Sequence, residues 1–199
     1  GDVRALAALI ANPRAALCAN VLTAALMLAR ADSKPLELIA ARDDVPVPPF
    51  AELFFALKTN TRLALLRAFA SRSQSVPAIK EPDIGTELKF LLAIREQSRA
   101  GILAVLTDGL HLSDTIAERL LRDDSCEGLA VACVAARISR AAYSTFVVLS
   151  HESEASVAPL SFFADVTPSG ARRIFAEWQV NALPRVAALP PPREQPKVP

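Results

Sequence analysis

His111 lies between Asp108 and Asp114, an imidazole with carboxylates close by in sequence on both sides. General acid–base chemistry uses such groups, but a base also needs a nucleophile to activate and a partner to orient it. Sequence neighbourhood supplies neither. Asp108, His111 and either Asp114 or Arg119 define a competing reading: a small enzyme or ligand-binding protein with a pocket between helical lobes. His151, beside Glu152 and Glu154, reads instead as a solvated helix end. Cys126 and Cys133 stand two helical turns apart and share a face, yet His111 and His151 are the only histidines and no CxxC or HxxxH spacing occurs. Without basic neighbours to favour a thiolate, both cysteines read as buried structural residues. Asp123-Asp124 precedes Ser125 at a helix junction, where acids suit the positive end of the helix and compete for its cap. EF-hand spacing is absent, as are a phosphate loop, a dinucleotide fingerprint and a hydrolase elbow. The expectation is no catalytic, cofactor-binding or metal-binding residue, no cofactor, and no enzyme.

Composition narrows the classes further. The 199 residues carry Lys+Arg 22 against Asp+Glu 21, a net charge of +1, which gives no support to a nucleic-acid or polyanion binder. With 52% apolar residues the chain can bury a core, and six glycines exclude collagen-like or many-hairpin architectures. Three cysteines, Cys18, Cys126 and Cys133, are too few for a secreted disulfide framework and fit a reducing cytoplasm. The longest uncharged run, about fifteen residues between Arg14 and Arg30, falls short of the ~20 that span a bilayer. It reads as a buried helix, so no membrane partner is expected. The chain begins with Gly1 instead of Met, which leaves room for a preceding segment or domain.

Alanine and leucine dominate, and β-branched or aromatic residues never alternate as a strand requires, so helices are expected throughout. Prolines punctuate them. The pattern predicts helices over Asp2–Ala11, Pro13–Arg30, Pro35–Arg42, Phe50–Lys58, from Asn60 or Thr61 to Ser71, Asp83–Ser98 and Ile102–Thr107. In the helix beginning at Asp83, Leu88, Leu91, Leu92 and Ile94 form the expected apolar stripe. Gly109 is placed as a left-handed C-cap, with Leu110 making its apolar contact. Ser113, Ser139 and Thr167 each follow an apolar residue and precede a helix, as N-caps do. Ile138 and Tyr143 are spaced for a hydrophobic staple. Ala171, Ile174, Phe175 and Trp178 mark one face of the helix that starts at Pro168. Ser125–Arg137 is apolar all round and belongs in the middle of a bundle.

These elements predict an all-α fold of stacked antiparallel helical hairpins, as a HEAT-like array or an irregular bundle. The break at 71–82 divides an N-terminal lobe, 1–73, from a C-terminal lobe, 83–183, unless both belong to one domain. Residues 184–199 form a proline-rich tail expected to be disordered. A helix-turn-helix over Leu112–Arg137 is excluded because its second helix offers alanine, valine, leucine and cysteine where a reader of DNA needs polar side chains. On the preceding helix, Ile116, Leu120 and Leu121 point inward and leave Glu118, Arg119 and Arg122 outward. That charged trio is either a solvated face or a surface for docking an as yet unknown protein partner, a use to which arginine is well suited. The leading functional reading is a non-enzymatic interaction or regulatory module.

Several of these residues also carry a resemblance. Ile102-Leu103-Ala104-Val105-Leu106, Leu112-Ser113, the run from Ile116 to Asp123, Gly128-Leu129, the run from Ala135 to Ser139, and Phe146 follow in a fixed order. That order resembles the C-terminal portion of a family of uncharacterised, mainly alphaproteobacterial proteins with a HEAT-like domain of unknown function. The ending Phe163–Trp178, with Ala171-Arg172-Arg173, is similar too. The resemblance covers Asp83–Trp178 and departs at Asp123-Asp124-Ser125, where the family often has a glycine. It implies an all-helical, cytoplasmic bacterial protein and supplies no catalytic residue.

Overall fold

A computed structural model describes residues 8–10, 12, 15, 33–150 and 157–180. The predicted helix Pro13–Arg30, most of Asp2–Ala11, the region around His151 and the tail 184–199 lie outside the described residues. Among those described, every regular element is helical and the fold is all-α. The elements are α1 (Ser33–Ala40), α2 (Pro48–Leu53) with a 3-10 turn (Phe54–Ala56), α3 (Thr59–Ala70), α4 (Thr86–Arg95) and α5 (Arg99–Ala104). They continue with α6 (Asp114–Arg122), α7 (Glu127–Ala135), α8 (Arg140–Ser150), α9 (Val157–Asp165) and α10 (Pro168–Val180). No helix among the described residues is long and apolar enough to cross a membrane.

Local chemistry explains most of the boundaries. Ser113 is extended, and its hydroxyl accepts from the Ile116 N–H at 3.3 Å, so α6 begins where the cap dictates. Ser139 does the same for the Ala142 N–H at 3.2 Å while donating to Glu87 Oε1 at 2.6 Å, which ties the start of α8 to α4. At the third such corner the hydroxyl turns outward from its own helix. Thr167 Oγ1 donates to the Leu66 carbonyl of α3 at 3.1 Å.

Two expectations are corrected. The apolar face of α4 is Phe90, Ala93 and Ile94, while Leu88 and Leu92 are 61% and 48% exposed. The helix is rotated toward its aromatic residue, because the Phe90 ring stacks on Phe146 of α8 with centroids 6.1 Å apart. Gly109 is not the left-handed cap either. The end of α5 widens into a π-turn over Val105–Gly109, with the Leu110 N–H bonded to the Val105 carbonyl at 3.0 Å, and His111 takes the positive φ of 59°. Gly109 lies close against α4, where a Cβ would meet the Thr86 side chain at 3.0 Å.

α7 sits in the centre. Leu129 through Cys133, with Ala135, are fully buried, and α6, α8, α9 and α10 pack around them. α10 also packs against α2 and α3, so residues before and after the 71–85 stretch share one apolar core running from Ile10 to Trp178. In a linear solenoid each unit touches only its neighbours. Contacts between α3 and α10, about a hundred residues apart in sequence, make this an irregular bundle.

Candidate functional site

The surface face of α6 rests on a buried polar knot. Arg62, on α3, is 4% exposed, and its Nη1 donates to Asp123 Oδ2 at 2.9 Å, Ser125 Oγ at 2.8 Å and Glu127 Oε2 at 3.0 Å. Its Nε and Nη2 donate to the Phe54 and Phe55 carbonyls, each at 3.0 Å. Asp123 Oδ2 also takes the Gly128 N–H at 3.1 Å, and Ser125 bridges Asp123 Oδ1 and the Glu127 N–H. The two acids expected at a helix start thus divide: Asp123 caps α7 and pairs with Arg62, while Asp124 is exposed. Burial pushes the Glu127 carboxyl above the usual glutamate range, opposed by hydrogen bonding from Thr59 and by the Arg62 charge.

The knot positions the 3-10 turn, and the turn positions a surface arginine. Phe55, held through its carbonyl by Arg62, stacks on Trp178 with centroids 5.3 Å apart. Its ring carries the Arg119 guanidinium 4.3 Å from the centroid, and Arg119 Nη2 donates to the Glu52 carbonyl at 3.3 Å. Arg119 was expected to point outward; it lies back across Phe55 and is half-buried. A guanidinium has an extended apolar stem and flat faces, so an available ring draws it down to the surface. Arg122 faces outward, whereas Glu118 is half-buried like Arg119. Glu118 Oε2 accepts from Arg99 Nη2 at 2.7 Å and lies 3.4 Å from Arg122 Nη2, which leaves donors of both arginines open to solvent.

Arg99 also borders an open cleft of about 330 Å³, walled by Ile94, Ile102, Leu121, Phe146 and Leu149. Asp123, Asp124 and Cys126 line it too. Gln97 and Cys126, both on this cleft, hold left-handed backbone at φ 50° and 55°. Cys126 precedes α7 instead of sitting within it, so the expected shared face with Cys133 does not form. Burial drives both thiols upward, Cys126 to about 12, and each is far from a reactive thiolate.

The competing pocket is assembled only in part. Asp108 and His111 line one open cleft of about 550 Å³ with Lys80, Thr107 and Gln179, whereas Asp114 and Arg119 are not among its walls. His111 Nε2 is 3.2 Å from the Glu81 carbonyl, an oxygen that can only accept, so the ring carries its proton there. Asp83 lies 3.4 Å from the same nitrogen. Among the described residues no group of three or more metal-ligating side chains converges. Sequence reasoning missed Arg62 entirely. The one available signal was an arginine on an otherwise apolar helix face. No family model matches the chain, and comparison with curated proteins and with solved structures gave no match.

Proposed function

We propose that the chain is a non-enzymatic protein-docking module presenting α6, with Glu118, Arg119 and Arg122, and the adjoining cleft as an apolar seat. The observation that carries this reading is preorganisation. Arg119 is fixed on Phe55, and Arg99 and Arg122 share Glu118, so their charged heads are ordered before any partner arrives. Ordering such side chains on binding would otherwise cost about 0.5–1.5 kcal/mol each. Beside them, Leu121 and Leu149 border a cleft that suits one apolar anchor side chain, the arrangement of an apolar centre with an arginine-bearing rim. The partner is a protein surface that offers that anchor flanked by carboxylates.

A cytoplasmic site of action belongs to the same proposal, supported by cysteines used as core residues. Kinship with the HEAT-like bacterial family belongs to it too, and rests on the packing residues between Ile102 and Phe146. A photo-crosslinking side chain at position 121 would trap the partner in cells. The purified partner is then titrated against the wild type, Arg122→Glu and Leu149→Asp. We expect at least tenfold weaker binding with unchanged melting temperature; equal affinity across the three proteins overturns the assignment. The pocket alternative is favoured by one observation, Asp108 and His111 on a common cleft, and requires turnover of a metabolite that His111→Ala abolishes.

A further inference from the structure

The chain between α3 and α4 crosses α10 with no regular structure of its own. Residues 75–83 form neither helix nor turn, and none of residues 73–85 is fully buried. α10 holds this strap with polar side chains. Arg173 donates to the Gln74 and Ser75 carbonyls. Gln179 grips Lys80 by its backbone: Oε1 accepts the Lys80 N–H at 2.8 Å, and Nε2 donates to the Lys80 carbonyl at 2.9 Å. At Glu81 the carboxylate takes Arg172 Nη2 at 2.7 Å, and the carbonyl accepts from His111 Nε2 at 3.2 Å. Beyond it the Asp83 N–H donates to the Gly109 carbonyl at 3.2 Å.

These contacts read a peptide position by position. A side-chain amide that pairs both polar groups of one residue's backbone recognises an extended segment whatever side chain that residue carries, and Lys80 is exposed and held through its main chain. Specificity lies on either side. Ile79 packs against the apolar core, and Glu81 brings a charge to Arg172. Pro77 and Pro82 keep the residues before them extended. The grip is light. The Arg172 and Glu81 side chains are 27% and 59% exposed, and ion pairs so open to water contribute little. Room for exchange adjoins the strap, because Ala78 and Lys80 form one wall of the open cleft of about 550 Å³ whose opposite wall is Ala176, Gln179 and Val180 of α10.

We propose that the strap is a displaceable occupant, in cis, of a peptide-reading groove on α10, and that an extended segment of a partner protein takes its place. The segment that fits has an aliphatic residue, then any residue, then glutamate, flanked by prolines, as in Pro77-Ala78-Ile79-Lys80-Glu81-Pro82. Displacement moves residues 76–82 alone, since Arg173 retains the chain at 74–75 and the Asp83 bond to Gly109 retains it at the other end. None of the groove's residues belongs to the α6 face, so the two surfaces stand or fall separately.

The test titrates the full chain with a fluorescently labelled peptide of the sequence 75–83. In the wild type the tethered strap competes at an effective concentration of about 1 mM or above, so binding is weak. Ile79→Ser combined with Glu81→Ala loosens the strap and leaves α10 intact. We expect this variant to bind the peptide about tenfold more tightly than the wild type, and to lose it when Gln179→Leu is added. In the peptide itself, Lys80→Ala should leave affinity unchanged, whereas Ile79→Asp and Glu81→Gln should each lower it about fivefold; changes there cannot disturb the protein's fold. Hydrogen exchange supplies a second readout: the Lys80 N–H should exchange by local opening, far faster than the amides of α7. No binding by the loosened variant at millimolar peptide, equal affinity for all the altered peptides, or a Lys80 amide as protected as those of α7 would each overturn the proposal. A dimer that the peptide dissociates would give the groove to the strap of a second copy and overturn the assignment to a different protein. If the loosened variant does not fold, the wild-type peptide series and the exchange rate decide.

Discussion

Arg62 and Glu127 meet 3.0 Å apart in the interior, the first on α3 and the second at the start of α7. Asp123 shares the same guanidinium nitrogen, so one cation is placed between two acids. Removing it leaves two carboxylates buried without their partner, a change that usually costs about 3–5 kcal/mol. Arg62→Met should lose that much stability in urea unfolding. Because Arg62 also holds the turn that carries Phe55 against Trp178, the single tryptophan, its native fluorescence should shift to the red. A loss below 1 kcal/mol with unchanged emission would show that the knot does not organise the face above it.

A second contact is governed by space. A Cβ at Gly170 would stand 2.1 Å from the Leu66 carbonyl oxygen, a backbone atom that cannot swing aside. The close approach of α10 and α3 therefore depends on glycine. Gly170→Ala should destabilise by about 3 kcal/mol or more through forced separation of the helices. Gly85 offers the contrast, since its φ of 80° strains any side chain while nothing lies within 4 Å of a Cβ. Gly85→Ala should cost only about 1–2 kcal/mol. Equal losses at the two positions would contradict the packing shown here.

The difference between legible and illegible features follows from range. Ser113 and the Ile116–Leu120 spacing define α6 within a few residues of chain, so a local rule reaches them. The all-apolar run in α7 could only be central, and it is. Arg62 is 61 residues from Asp123, and no pattern in either segment announces the pairing. Arg119 was misplaced for a similar reason, because Phe55 belongs to a different helix pair and its ring overrides the outward direction set by helix spacing. On α4 helix spacing alone offers leucines as the apolar stripe, whereas burial follows the Phe90 ring, which has a partner on α8. His111 holds the left-handed turn beside an available glycine because the π-turn moves the end of α5 two residues onward.

Glu177 gives a pH prediction of definite sign. Burial raises its carboxyl above the ordinary value of 4.5, so the folded chain binds this proton more tightly than the unfolded chain. Stability from this group is then greatest below the unfolded value and declines as pH rises through the raised folded value. Glu177→Gln should raise the melting temperature at pH 7 and leave it unchanged near pH 3.5. A variant less stable than wild type at pH 7 would mean that the ionised carboxylate is being satisfied.

The surface half of the candidate face is open to the same treatment. Arg119 and Phe55 touch across two elements, and contacts of this kind at half-exposed positions contribute about 0.5–1 kcal/mol. Arg119→Ala and Phe55→Leu should therefore couple by that amount in a double-mutant cycle read by urea unfolding, while Arg122→Glu should be additive with both. The distinction matters because, among the described residues, Arg122 pairs with Glu118 and makes no ring contact. If Phe55→Leu also weakens the captured partner's binding while Arg119 remains in place, the ring is steering the guanidinium toward that partner and serves more than the core. If binding is indifferent to Phe55 but lost with Arg122→Glu, recognition runs through the Arg99–Glu118–Arg122 bridge alone.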